Sequence, residues 1–198
     1  QRYDRPDTAE SWAAILFGIR WNLGMVTINA EAEHALREHP DSLDHRDLGL
    51  IAASTPFATI SKSAELAQLA LTGRALALAP DDFKTIRTEA SYRMGFAMEG
   101  FSEDRAGDLA RATEFVDRAL LLRPNDPHSL RTKAFIYRGQ RDYAKAEALM
   151  RRVVELVPMD GYRRRDLALT LLDQGKDQEA LETFQEAKRI FLATGLGA

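Results

Sequence analysis

A short phrase that ends in proline occurs four times along this chain of 198 residues. In every copy Leu or Val lies four residues before the proline, and a small or β-branched apolar residue lies five before it. Proline lacks the backbone N–H that a helix interior needs, and it disfavours helical geometry in the preceding residue. The phrase is therefore typical of a helix that ends where a second helix begins soon afterwards. The four prolines are Pro40, Pro80, Pro124 and Pro158.

The spacing of these prolines is 40, 44 and 34 residues. Polar residues that suit turns or helix caps follow three of them directly, namely Asp41, Asp81 and Asn125. A recurring unit of this length predicts an array of helix pairs, and such arrays usually bind other proteins.

The composition fits an all-α chain with a sizeable core, because 45% of the residues are hydrophobic and 29% are charged. The absence of cysteine excludes disulfides, thiolate metal sites and a cysteine nucleophile. A net charge of −3 gives no general reason to expect nucleic-acid binding. No apolar run approaches 18 residues, so we expect no membrane span and a cytoplasmic location. Because the chain opens with Gln1, we expect it to be part of a longer protein.

Two segments near the C-terminus, 127–158 and 161–192, carry small and large apolar residues at the spacing of a 34-residue helix–turn–helix unit. The first has Leu130, Ala134, Tyr137, Ala146 and Pro158, and the second has Leu167, Ala168, Ala180, Phe184 and Ala187. These positions resemble those of the tetratricopeptide repeat (TPR) family. The segments depart from the family pattern at Lys133 and Arg164, and the second has Leu192 where the proline is usual.

The resemblance implies a right-handed superhelical array of antiparallel helix pairs, which is a TPR-like α-solenoid spanning residues 1–198. The expected units are two degenerate helix pairs at 7–40 and 43–80, followed by repeats at 83–124, 127–158 and 161–194. The repeat at 83–124 has about ten extra residues near 95–104. They indicate either a longer first helix whose Met94, Phe96, Met98 and Phe101 cover a neighbouring repeat, or a flexible lip that binds a partner.

Residues suited to catalysis or metal binding are few. His34 and His39 lie five apart, which does not place two ligands on one helical face, and no carboxylate pair near them has ligand spacing. The serines lie in no nucleophile-elbow context. We therefore expect no enzyme, no metal and no cofactor.

The resemblance also implies which side chains line the concave groove of the array. The candidate peptide-binding residues are Lys84, Arg87, Ser91, Met94, His128, Arg131, Phe135, Arg138, Tyr162 and Arg165. Five of them are Lys or Arg, and the neighbouring groove positions add Asp166 and Asp173. A basic, partly aromatic groove favours an acidic or carboxylate-ended peptide, because arginine can hold a carboxylate with two hydrogen bonds. The alternative is that these cations simply solvate the helix faces.

Three functions remain open at this point. The first is a non-catalytic protein–protein interaction module, a regulatory or scaffolding part of a larger protein, similar in composition to the repeat regions of bacterial regulators and nucleotide cyclases. The second is a ligand-sensing regulatory domain with a pocket lined by Trp12, Phe17 and Trp21. The third is a self-association module that forms a homodimer through the apolar run 190–192.

Overall fold

The computed structural model describes residues 43–54 and 61–194, and within these ranges it contains eight α-helices and no strand. The expected helix pair 7–40 and the three aromatic residues of the ligand-sensing alternative lie outside the described residues. The helices are α1 (His45–Ser54), α2 (Lys62–Leu78), α3 (Phe83–Met98), α4 (Arg105–Leu122), α5 (Pro127–Gly139), α6 (Tyr143–Leu156), α7 (Gly161–Leu172) and α8 (Asp177–Thr194).

Each helix packs against the next one along the chain. The first helices of successive units also touch, because α3 contacts both α1 and α5. Short connections between α3 and α8 make consecutive helices antiparallel. The described chain is therefore a stack of antiparallel helix pairs, and the all-α prediction is confirmed.

The proline-ended phrase ends α2, α4 and α6 in the same way. Each helix stops two residues before the proline, and the residue directly before the proline has a non-helical backbone conformation with ψ between 66° and 89°. A proline ring disfavours helical geometry in the residue before it, and all three predecessors lie outside the helical region. The three described copies of the phrase thus mark helix ends, as the sequence predicts.

Aspartates cap the helices that follow these turns. The carboxylate of Asp82 accepts a hydrogen bond from the backbone N–H of Thr85, and Asp126 does the same for Ser129. Pro127 occupies the first turn of α5, where its missing N–H leaves no bond unmade. The caps at Asp82 and Asp126 lie two residues after their prolines, so Asp81 and Asn125 belong to the turns.

The first helix of each unit ends differently, with a residue in the left-handed backbone region. Gly100 has φ 77°, Arg141 has φ 64° and Gly175 has φ 71°. At each of these helix ends a backbone N–H donates a hydrogen bond to the carbonyl oxygen five residues earlier, as Asp142 N does to Tyr137 O at 2.9 Å. Glycine adopts this conformation without cost, whereas Arg141 carries a Cβ there.

The core consists of two main clusters between the helix layers. One cluster joins α3, α4 and α5, and the other joins α5, α6, α7 and α8. Leu120 and Phe135 pack against both clusters and so connect them. The extra residues near 95–104 lengthen α3 as far as Met98, with Phe96 and Ala97 buried, and only 99–104 form a loop.

Glu65 on α2 is a carboxylate with an unusual environment. Its Oε2 atom is buried and has no hydrogen-bond partner in the part of the chain that the structure describes. The same oxygen lies 3.7 Å from the point where a Cβ on Gly95 of α3 would stand. Burial, and to a smaller extent the nearby charge of Glu99, raise the pKa of Glu65 to about 7.

Glu65 therefore makes the stability of the array depend on pH. Because its pKa is higher in the folded chain than in the unfolded one, the stabilisation is complete below about pH 4.5 and is lost as the pH rises through 7. We expect Glu65→Gln to raise the free energy of unfolding at pH 8 by about 1–2 kcal/mol, after allowing for solvent screening of a half-buried group, and to change it little at pH 4.5. Urea denaturation at the two pH values measures the difference.

The matched control for this prediction is Glu103→Gln, because Glu103 is almost fully exposed and pairs with Lys62 at 3.5 Å. It should give no difference between the two pH values beyond a few tenths of a kcal/mol. A Glu65→Gln variant that is less stable than the parent at pH 8 would contradict the assignment.

Candidate functional site

The groove is the inner face of the first helices α3, α5 and α7, and ion pairs cross it from one unit to the next. Arg87 Nη1 lies 3.5 Å from Asp126 Oδ1 at the cap of α5. Arg131 Nε lies 2.5 Å from Asp166 Oδ2 on α7. The pairs bind adjacent units together, so these two predicted groove cations also have a structural role.

Asp166 is the centre of the largest charge cluster in the groove. Its side chain is only 1% exposed, and three guanidinium groups reach it: Arg131 at 2.5 Å, Arg165 at 3.0 Å and Arg163 at 3.7 Å. A buried carboxylate needs such partners because desolvation alone would disfavour its charge. Arg163 also pairs with Asp160 at 3.5 Å, so three guanidinium groups meet two carboxylates, and this part of the groove keeps one more cation than anion.

Aromatic rings hold several of the groove arginines in place. Arg131 and Arg138 both lie over the ring of Phe135, with the guanidinium carbons 4.4 Å and 4.9 Å from the centroid. Arg165 lies over Tyr162 at 5.4 Å. Stacking on a ring fixes the plane of a guanidinium group and leaves its in-plane N–H groups free to meet an acceptor.

The imidazole of His128 is buried beside the groove arginines. Burial lowers the pKa of His128 to about 3, and the charges of Arg87, Arg163 and Arg131 act in the same direction. The imidazole is therefore neutral at physiological pH and can both donate and accept a hydrogen bond. Beside it, Arg87 Nε is buried and has no hydrogen-bond partner among the described residues.

Four of the predicted groove residues lie near one another, because Arg87 and Arg131 both act on His128, and Arg131 and Arg165 share Asp166. Lys84 is exposed at the start of α3, Ser91 is half-buried, and Tyr162 is exposed with its ring edge-on to Phe191 at 4.8 Å. Arg138 lies at the far end of α5 and pairs with Asp173 at 2.7 Å.

The prediction that Met94 lines the groove is wrong, because its side chain lies in the core. Its side chain is 6% exposed and belongs to the cluster that contains Ile136. The cause is the length of α3, whose last turn continues to Met98 with Phe96 and Ala97 buried. The equivalent position of α5 is occupied by Arg138, where the helix is already ending.

Arg163 also belongs to the charge cluster, although it is not among the groove residues predicted from the sequence. Burial and the charge of Arg131 lower the pKa of Arg163, and its guanidinium group lies 3.7 Å from Asp166. A signal was present, since Arg131 with Asp166 and Arg138 with Asp173 are both separated by 35 residues. That separation is one repeat length plus one residue, which joins neighbouring first helices.

Neither a metal site nor a membrane span is found in the described ranges. The residues in 43–54 and 61–194 contain no group of three or more His, Asp or Glu side chains that could hold an ion. None of the helices described is long and apolar enough to cross a bilayer. His34 and His39 lie outside these ranges.

Comparison with known proteins identifies the architecture. No protein-family model and no curated protein matches the chain. Among solved structures, TTC0263, a thermophilic TPR protein of Thermus thermophilus, matches with a TM-score of 0.70 and 19% identity, covering 90% of each chain. MamA from Desulfovibrio magneticus RS-1 matches with a TM-score of 0.59 and 12% identity, covering 84% of this chain and 94% of its own. These likenesses show that the chain has the fold of a TPR array.

The cluster at Asp166 leads to a prediction about stability. Asp166→Asn would leave three guanidinium groups facing one another with no buried anion between them. We expect the free energy of unfolding to fall by about 3 kcal/mol, which is typical when one partner of a buried ion pair is removed. Urea denaturation at neutral pH measures the loss.

Asp81→Asn is the control for this experiment, because Asp81 is exposed and its contact with Arg118 is 3.5 Å long. A surface pair of this kind should contribute less than about 1 kcal/mol. Equal losses in the two variants would show that burial of Asp166 does not matter.

Proposed function

We propose that this chain is a non-catalytic interaction module that binds a peptide or protein partner in the groove. The TPR-like fold supports the class, since arrays of helix pairs offer extended concave surfaces to their partners. We also propose that the module has a regulatory or scaffolding role within a larger cytoplasmic protein.

We further propose that the partner segment is acidic or ends in a carboxylate. The observation that supports this most directly is the cluster in which Arg131, Arg163 and Arg165 meet the two carboxylates of Asp160 and Asp166. Arg165 is the most open of the three, with 44% of its side chain exposed, so its outer N–H groups are available to a ligand. A carboxylate placed there would meet the remaining positive charge and could accept two parallel hydrogen bonds.

The paired state of the groove arginines limits the strength of this attraction. Because Asp126 and Asp166 neutralise part of the positive charge, an acidic peptide gains only from the excess. The half-exposed position of the cluster also allows salt to screen it. We therefore expect binding that weakens clearly as the ionic strength rises.

Self-association is a second candidate function, although only part of the apolar run 190–192 is exposed. Leu192 is 65% exposed, but Ile190 and Phe191 are half-buried. The ring of Phe191 packs on Tyr162 and closely against Gly161, where a Cβ would stand 2.9 Å from the ring. The apolar run at the C-terminal end of α8 therefore contributes partly to the chain's own packing, and light scattering would detect a dimer.

A labelled peptide tests the acidic-ligand proposal. The probe is fluorescein-labelled hexaglutamate, compared with hexaglutamine, in a fluorescence polarisation titration at low salt. We expect hexaglutamate to bind more tightly, and we expect Arg165→Ala to weaken its binding by about tenfold through loss of a charge-assisted hydrogen bond.

The matched control is Arg152→Ala, which removes the same charge from α6, where Arg152 makes exposed contacts with Glu155 at 3.0 Å and Asn125 at 3.4 Å. Its affinity should stay within twofold of the parent. Equal weakening by both variants would indicate attraction to net charge alone, and equal binding of the two peptides would overturn the acidic ligand while leaving the interaction module standing.

A further inference from the structure

A second surface lies at the edge of the array where first helices turn into second helices. It is a cleft of about 430 Å³ between the ends of α3 and α5 and the starts of α4 and α6. This surface is separate from the Asp166 cluster, which lies on the inner face. The cleft is lined by Arg105, Arg138, Gly139, Arg141, Tyr143 and Asp173, with Met98 at its base.

The cleft is rich in cations. Arg138 pairs with Asp173 through Nε at 2.7 Å, and Arg105 donates to the carbonyl oxygen of Gly139 at 3.2 Å. The Arg141 side chain makes no hydrogen bond or ion pair with any residue that the structure describes. The cleft therefore has three guanidinium groups and one lining carboxylate, which pairs with Arg138 alone, and each guanidinium group keeps N–H groups that nothing in the described chain uses.

Two further aspartates near the cleft are already engaged elsewhere. Asp104 accepts a hydrogen bond from the backbone N–H of Gly107 at the start of α4. Asp142 caps α6 and pairs with Lys145 Nζ at 2.6 Å. Among the described residues, neither carboxylate makes an ion pair with an arginine of the cleft.

The backbone conformation of Arg141 is a second indication that the cleft has a function. The structurally equivalent residues of the neighbouring units are Gly100 and Gly175, and all three have positive φ. A residue with a Cβ is strained in this conformation, and such strain is concentrated at functional sites. At this turn, where glycine serves the backbone best, the chain has a residue whose free guanidinium group lines the cleft.

We propose that this cleft binds a phosphorylated side chain, such as phosphoserine, of a protein partner. A phosphate dianion offers three oxygens in a tetrahedral arrangement, so it can accept hydrogen bonds from arginines that approach from different directions. A planar carboxylate is matched by a single arginine fork and would leave the other two unused. Tyr143 offers a further hydroxyl group, and the volume exceeds that of a free phosphate, which leaves room for the residue that bears it.

A phosphopeptide titration on the full chain tests the proposal. The probe is a fluorescein-labelled alanine pentapeptide with phosphoserine at its centre, compared with the same peptide carrying unmodified serine. We expect the phosphopeptide to bind at least tenfold more tightly. Arg141→Asn should weaken its binding by about tenfold, because asparagine tolerates positive φ but carries no charge.

Arg141→Gly separates binding from folding. It should raise the urea midpoint, since glycine relieves the backbone strain, and it should weaken phosphopeptide binding at the same time. A merely structural role for Arg141 predicts no loss of affinity in a more stable protein. The charge control is Arg189→Ala on α8, an exposed arginine far along the chain from the cleft, which should leave the affinity within twofold.

Several results would overturn the proposal. They are equal affinity for the phosphorylated and unmodified peptides, unchanged binding by Arg141→Asn, or equal weakening by Arg189→Ala. If inorganic phosphate binds as tightly as the phosphopeptide, the ligand of the cleft is a free anion and not a protein partner. Because hexaglutamate is measured on the same preparations, its binding without binding of the phosphopeptide would overturn the cleft alone and leave the groove proposal intact.

Discussion

Close approach of the helices at buried alanines is the constraint on which the rest of the array depends. In each first helix one alanine lies eight residues after the N-cap: Ala90 in α3, Ala134 in α5 and Ala168 in α7. In the second helices α4, α6 and α8 the equivalent alanines are spaced by 34 residues: Ala112, Ala146 and Ala180. All six side chains are fully buried. A methyl group at each crossing lets the backbones come close, and larger side chains on either side fill the space around it. A larger residue at any of these positions would push two units apart.

This close approach decides where the charges of the inner face can act. Because neighbouring first helices are held near each other, Arg131 reaches Asp166 in the next unit at 2.5 Å. The pair is enclosed enough that the carboxylate is desolvated, and two more arginines gather around it. The groove arginines therefore join neighbouring units. If a partner binds there as proposed, their geometry is fixed in advance, which reduces the entropy lost on binding.

The sequence predicts the ends and caps of the helices well, since proline and aspartate act through bonds to residues two or three positions away. It also predicts the alanines at the helix crossings, which follow from the repeat period and are fully buried. Met94 was misplaced because its burial depends on the extra turn of α3, a feature that differs from the neighbouring units. The pairing of Arg131 with Asp166 was missed because it depends on the position of one helix relative to the next. Strain at Arg141 is equally invisible in sequence, where only the glycines at equivalent turns hint at it.

The groove and the cleft are connected through a row of stacked side chains on α5. Phe135 holds Arg131 on one side and Arg138 on the other, and Arg138 also lines the cleft. The ring packs against both core clusters, so its position is fixed by the interior. Both arginines stack on it, which sets the plane of each guanidinium group. The two surfaces for which we propose ligands therefore depend on one buried anchor, and loss of the Phe135 ring would disturb the arginine of the groove and that of the cleft together.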